Sequence, residues 1–177
     1  MPIQRANFEN LEEKLHKAVK SDSYKTLIDL FNKHDDIYVI GNGGLHYVAS
    51  HMATDISRLV PNKYCHSFDS FGFITSSAND FGFDSIFERW LKNCVNSRNN
   101  GLILGLSCSG TSKNIINAFN YGKTIGWDSF LISGRPTKLD CPHIQIDAKH
   151  YHTVEAFSLM LFYEIIHALG YSCPTIG

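Results

Sequence analysis

Leu102-Ile103-Leu104-Gly105-Leu106-Ser107-Cys108-Ser109-Gly110-Thr111-Ser112 is the stretch on which the fold turns. Leu102 to Leu106 is an apolar run of the length and character of a strand buried on both faces. Lys113-Asn114-Ile115-Ile116-Asn117-Ala118-Phe119 follows and reads as a helix. Four hydroxyl side chains and a glycine therefore occupy a strand-to-helix turn. Such a turn aims unpaired backbone N–H groups at one spot, and the helix dipole favours negative charge there. One serine or threonine at this place would be an ordinary N-cap, but four are more than a cap uses. The stretch reads as a phosphate cradle built without the lysine of a P-loop.

The same arrangement recurs upstream. Asp36 to Ile40 reads as a strand, Gly41-Asn42-Gly43-Gly44 as a tight turn, and Leu45 to Leu59 as a helix. Glycines there permit close approach of backbone to a ligand. The dinucleotide fingerprint G-x-G-x-x-G is absent, because its sixth position is His46. Neither dinucleotide nor P-loop spacing is present, which disfavours a nucleotide-binding module. Further strands are expected at Tyr64 to Phe68, Ser129 to Ile132 and His143 to Ile146. Helices are expected at Ser85 to Asn96, at Thr111 to Thr124 with Gly126 as its stop, and at Thr153 to Leu169. Phe71 to Ser77 fits helix and loop equally. Strands alternating with helices predict an α/β three-layer sandwich with a five-stranded parallel sheet. In the order 2-1-3-4-5 the winding reverses between strands one and three. The glycine turn and the serine turn then flank one crevice, where such sheets bind ligands.

Two amphipathic helices, Phe8 to Ser21 and Tyr24 to Lys33, precede the first strand. Residues 1–34 are thus expected as N-terminal helices packed outside the domain or against another subunit, with 35–177 forming the α/β domain. The 177 residues include 44% apolar and 19% charged side chains, with a net charge of −1. This is a globular composition, and it argues against nucleic acid as main partner, since a phosphate backbone selects a basic face. The five cysteines form no C-x-x-C pair, so free thiols in a reducing cytoplasm are expected rather than disulfides or structural zinc. No leader peptide is expected at Met1 to Asn10. Ala156 to Leu169, interrupted by Glu164, is too short to span a bilayer, so no membrane partner is expected.

Several motifs now stand in order: Gly41-Asn42-Gly43-Gly44, His51 and Asp55, Asn79-Asp80-Phe81-Gly82-Phe83, and Ser107-x-Ser109-Gly110-x-Ser112-x-Asn114. Together they resemble the sugar isomerase (SIS) domain, and within it the phosphoheptose isomerase branch. The likeness covers roughly Asp36 to Leu169. It implies a homotetramer or dimer of dimers with sites at subunit interfaces, and interconversion of an aldose phosphate with a ketose phosphate such as sedoheptulose 7-phosphate. By position it implies that Asn42, Gly43 and Gly44 touch substrate, Asn79 and Asp80 contact sugar hydroxyls, and Ser107, Cys108, Ser109 and Ser112 bind phosphate. It implies zinc as cofactor, with His51 and Asp55 as ligands; Asp55 stands where the family has glutamate. The family's glutamine and histidine ligands of the last helix fall at Val154 and Phe162, neither of which can bind zinc.

Isomerisation through an enediol needs a base beside the carbonyl and groups that polarise the oxygens. Glu155 is the first choice of base, followed by Asp55 and His51. His51 and Asp55 are four apart on one helix, and His152 and Glu155 three apart on another, so each pair shares a face. A rearranged His51/Asp55/His152/Glu155 metal site is one expectation. The alternative is that His51 simply bonds to Asp55 while His152 is an exposed cap residue. Glu155 has a plain reading too, as a first-turn acid complementing the helix dipole. A non-catalytic SIS protein, binding a phosphosugar or a protein such as a replication initiator, is the competing function.

Overall fold

Ile37 and Val39 face one side of a sheet and Tyr38 and Ile40 the other, and all four are buried. This two-sided burial is what continuous apolar strands require: a layer of helices on each face. The computed structural model describes residues 5–94 and 100–176. Its strands are β1 (Asp36–Gly41), β2 (Tyr64–Ser67), β3 (Gly101–Ser107), β4 (Asp128–Ser133) and β5 (His143–Gln145). They form one parallel sheet in the order β2-β1-β3-β4-β5. The expected winding reversal therefore lies between β1 and β3, which pair from Asp36–Gly101 to Gly41–Leu106.

The helices are α1 (Leu11–Val19), α2 (Asp22–Lys33), α3 (Gly44–Leu59), α4 (Phe71–Phe81), α5 (Ile86–Cys94), α6 (Lys113–Thr124) and α7 (Tyr151–Ala168). Phe31, Met52, Ile56, Phe157 and Ile165 join Leu102, Leu104 and Leu106 in one core, formed under α1, α2, α3 and α7. Phe68, Phe87, Leu91, Ile115 and Phe119 join Ile103 and Leu131 in the other, under α5 and α6. Alternate residues of β3 thus feed opposite cores.

Most boundaries shift by one or two residues, and three stretches are described more fully. The first helix starts at Leu11 rather than Phe8, because Glu9 and Asn10 adopt left-handed backbone (φ 56° and 54°). Phe71 onward is helix, continuing through Asn79 and Asp80 to Phe81, with Ser70 as N-cap accepting from the Phe73 N–H. The helix expected over Ser85 to Asn96 begins with a 3₁₀ turn at Phe83–Ser85; Val95 and Asn96 lie outside the described residues. Met1 to Gln4 of the N-terminal segment and Gly177 of the α/β segment also lie outside them.

Candidate active site

The two turns meet. Asn42 and Asn114 exchange amide hydrogen bonds, Nδ2 of Asn42 donating to Oδ1 of Asn114 at 3.1 Å and the reverse at 2.8 Å. Asn114 is nearly fully buried, so this reciprocal pair is a fixed clasp between the end of β1 and the start of α6. Beside it lies a cleft of about 530 Å3 that Asn42, Gly43, Gly44, Ser107, Ser109 and Glu155 line, with Cys108, Ser112 and Tyr151 completing the wall.

Within the serine turn, Ser107 Oγ lies 2.9 Å from Ser112 Oγ and accepts from the Gly110 N–H at 3.0 Å. The Thr111 N–H and hydroxyl both donate to Ser109 Oγ at 3.2 Å. Ser112 is the N-cap of α6, yet its hydroxyl is turned to Ser107 and caps nothing. Gly43, the N-cap of α3, has no side chain with which to cap, and its φ of 59° is one that glycine adopts freely. Two helix N-termini without side-chain caps therefore border one cleft, and uncapped N-termini are the kind that can bind an anion.

Glu155 enters from α7, just past that helix's first turn, which holds no acidic residue. A Cβ built on Gly44 would sit 2.2 Å from its Oε1 and 2.4 Å from its Cδ, so the carboxylate rests directly on the glycine backbone. Only glycine leaves that space. Burial, with the nearby Glu155 charge, pushes the Cys108 thiol up to about 11. Cys108 is accordingly a neutral packing residue of the cradle at neutral pH.

The remaining expected site residues lie elsewhere. Asn79 and Asp80 are exposed on α4, with Asn79 Nδ2 donating to Asp80 Oδ1 at 2.8 Å, and neither lines the cleft. His51 and Asp55 of α3 face Tyr163 of α7. The Tyr163 hydroxyl is 3.2 Å from His51 Nε2 and 3.3 Å from Asp55 Oδ2. Arg58 holds the other Asp55 oxygen at 3.0 Å, and Asp55 is only 7% exposed. His51 itself stands 3.7 Å from Asp55. His152 turns away, its Nε2 donating to the Asn7 carbonyl at 3.0 Å while Phe8 packs edge-on against its ring.

The rearranged quartet His51/Asp55/His152/Glu155 is thus not assembled within the chain. Among the described residues no three His, Cys, Asp or Glu side chains converge as a metal site requires. Val154 and Phe162 are 2% and 0% exposed, packed in the core as apolar side chains. The residues do not fit the zinc that the resemblance implies. Their separation has a simple cause: His152 and Glu155 share a helix side only approximately, and the N-terminal segment captures His152.

Glu9 makes that capture firm. Its carboxylate accepts from the N–H groups of Lys149 (2.9 Å) and His150 (3.0 Å), from the His150 ring (2.7 Å) and from the Thr153 hydroxyl (3.2 Å). Burial opposes ionisation of Glu9, but these hydrogen bonds outweigh it and hold its carboxyl at about 2. Sequence reading missed this anchor and Tyr151, and quoted Asn114 in the serine motif without giving it a role. Asn114 alone had a local signal, its spacing two residues after Ser112.

A parallel sheet in this order, with a hydroxyl-rich turn at its winding reversal, is the architecture that the resemblance to sugar isomerase domains implies. No family model matches the chain. A phosphoheptose isomerase from Pelobacter propionicus is 30% identical over 139 residues, 75% of this chain and 71% of that one. The chain therefore belongs to the phosphoheptose isomerase family, a family of sugar phosphate isomerases. A phosphoheptose isomerase from Histophilus somni is 28% identical over 111 residues, and the match spans 56% of its length. The structure of phosphoheptose isomerase from Neisseria gonorrhoeae superposes with a TM-score of 0.76 at 18% identity, covering 92% of each chain.

Proposed function

We propose that this chain isomerises an aldose phosphate and a ketose phosphate through an enediol, with sedoheptulose 7-phosphate as the first substrate to test. The observation that carries this reading is the Glu155 carboxylate lying on Gly44 in the same cleft as the serine cradle. The phosphate docks on the Ser107–Ser112 turn, where hydroxyls and helix N–H groups replace its water. The sugar chain then runs toward Asn42 and Gly44. Glu155 takes the proton from the carbon beside the carbonyl and returns it to the former carbonyl carbon, while the hydroxyl proton on the first carbon passes to the former carbonyl oxygen. The N–H groups at the start of α3 and the Asn42 amide stabilise the oxyanion of the enediolate. Asp55, paired with Arg58 and Tyr163, and His51 beside it hold α3 against α7 and so fix the backbone on which Glu155 rests.

Asn79 and Asp80 belong to this reading through a second copy of the chain. They stand on α4 among the exposed side chains of Phe71, Phe81 and Phe83, a face suited to self-association. We assign them to a neighbouring subunit's cleft in a homotetramer or dimer of dimers, to which residues 1–34 also contribute contacts. Five free thiols suit a cytoplasmic location. Among the described residues no helix is long and apolar enough to cross a membrane.

A second reading has one observation in its favour: the buried apolar side chains of Val154 and Phe162, where the family's ligands fall. It makes the chain a binder of phosphosugars, or of a protein partner, without turnover. Purified protein mixed with sedoheptulose 7-phosphate and a panel of phosphosugars decides between them. Proton exchange at the carbon beside the carbonyl, followed by NMR in D2O, supports isomerisation. A rise in melting temperature with no exchange on any substrate supports the binder instead.

A further inference from the structure

The cleft shares Cys108, Ser109 and Tyr151 with a second cavity of about 210 Å3, which Arg135, Lys149 and His150 also line. Arg135 belongs to the turn after β4. That turn lies against the serine turn: the Gly134 N–H donates to the Ser107 carbonyl at 3.2 Å, and a Cβ on Gly110 would come within 2.7 Å of the Arg135 carbonyl. Lys149 belongs to the turn into α7, tied to the first by the Ala148 N–H donating to the Gly134 carbonyl at 2.8 Å. Backbone hydrogen bonds thus hold the backbone of both turns next to the cradle.

Most cations with a carboxylate in reach have taken it. Lys25, Lys33, Arg58, Lys63 and Lys92 are each ion-paired. Among the described residues, the Arg135 guanidinium and the Lys149 ammonium have no ion-pair or hydrogen-bond partner. Glu9, which reaches the Lys149 turn from the N-terminal segment, spends its oxygens on that turn's N–H groups and on the His150 ring. The main cleft offers neutral donors and the negative Glu155, whereas the second cavity offers two unneutralised positive groups. Cations that are unpaired and line one cavity are free to form strong charge-assisted bonds to an anion.

We propose that Arg135 and Lys149 form a second anion subsite beside the serine cradle, so that the cleft takes a sugar carrying two anionic groups. This rests on the phosphosugar reading above. The second group is a phosphate, as in a sugar bisphosphate, or a carboxylate, as in a phosphorylated sugar acid.

Titration of the full chain with inorganic phosphate, followed through backbone amide NMR shifts, tests the subsite directly. Two sets of shifts are expected, one at residues 110–115 and one at 148–151, with different midpoints. Arg135→Gln with Lys149→Gln should abolish the second set and leave the first midpoint within about twofold, since neutral donors make the first site. Ser107→Ala with Ser112→Ala should do the reverse. Each variant's melting curve is recorded alongside, and Ser112→Ala alone replaces the serine double variant should that one unfold. Calorimetry with fructose 6-phosphate, fructose 1,6-bisphosphate and 6-phosphogluconate then identifies the second group. The preferred doubly charged ligand should bind about tenfold more tightly than the monophosphate, and the Arg135/Lys149 variant should lose that preference. A single set of shifts that both double variants remove means one shared phosphate and overturns the proposal. So do shifts at 110–115 alone, or equal affinity for all three sugars. Failure of the cradle itself looks different: shifts at 148–151 with none at 110–115.

Discussion

A methyl group is enough to test the active-site assignment at the scale of single residues. Gly44 has no positive φ, so alanine there meets no backbone strain; it meets the Glu155 carboxylate. That carboxylate is the far end of a flexible side chain and will swing aside. Gly44→Ala should therefore lower kcat/KM by roughly tenfold or more while leaving the melting temperature equal or higher, because alanine is the better helix former by about 1 kcal/mol. Steady-state kinetics and a thermal melt on one preparation check both halves. Glu155→Gln keeps the volume and removes the base. It should reduce kcat by about 10²- to 10⁴-fold with phosphosugar binding retained, as calorimetry on the variant would show. The sequence marked Glu155 as a candidate base and also as a first-turn helix acid. It could not show the carboxylate lying on Gly44, since these residues are 111 positions apart and their contact depends on how α7 crosses α3.

At the scale of elements, the sheet's packing sets the tolerances. A Cβ on Gly105 in β3 would come within 2.8 Å of Phe119 and 2.9 Å of Ile115, both on α6. Gly105→Ala should overpack this contact and cost about 1–3 kcal/mol, read from the midpoint of urea unfolding. The N-terminal segment has its own signature in pH. Glu9 is held at about 2 when folded, against about 4.5 when free. A depressed carboxyl contributes stability fully above its unfolded value and loses it as pH falls toward the folded one. Glu9→Gln should therefore melt lower than the parent chain at pH 7, and the gap should close between pH 4.5 and pH 2. Thermal melts across that range check the sign. The sequence placed this segment inside the first helix. Its helical spacing was real as a pattern, but Glu9 gains more by reaching the start of α7 in left-handed backbone than by adding a turn to α1.

For the molecule as a whole, the test is whether one cleft needs two chains. The protein should sediment as an oligomer, and Phe71→Ser with Phe81→Ser should shift it toward the single chain in sedimentation velocity. Glu155→Gln chains and Asn79→Ala/Asp80→Ala chains should each be weakly active alone. Refolded together, they should recover activity, because some clefts would then combine an intact Glu155 with an intact partner helix. No recovery would place Asn79 and Asp80 outside the reaction.

What the sequence by itself determined was the alternation of strands and helices and the two turns that border the cleft. Those features are local: the apolar run of β3, the glycines after β1 and the hydroxyls after Leu106 state them within a few residues. The three-dimensional structure alone decided which distant side chains share the cleft. The sequence paired His51, Asp55, His152 and Glu155 by helical spacing. Packing sent them three ways, to Tyr163 and Arg58, to Asn7, and to Gly44. Helical spacing fixes only the side of its own helix on which a residue stands. What that side meets depends on the crossing of α3 with α7 and on an N-terminal segment more than a hundred residues away.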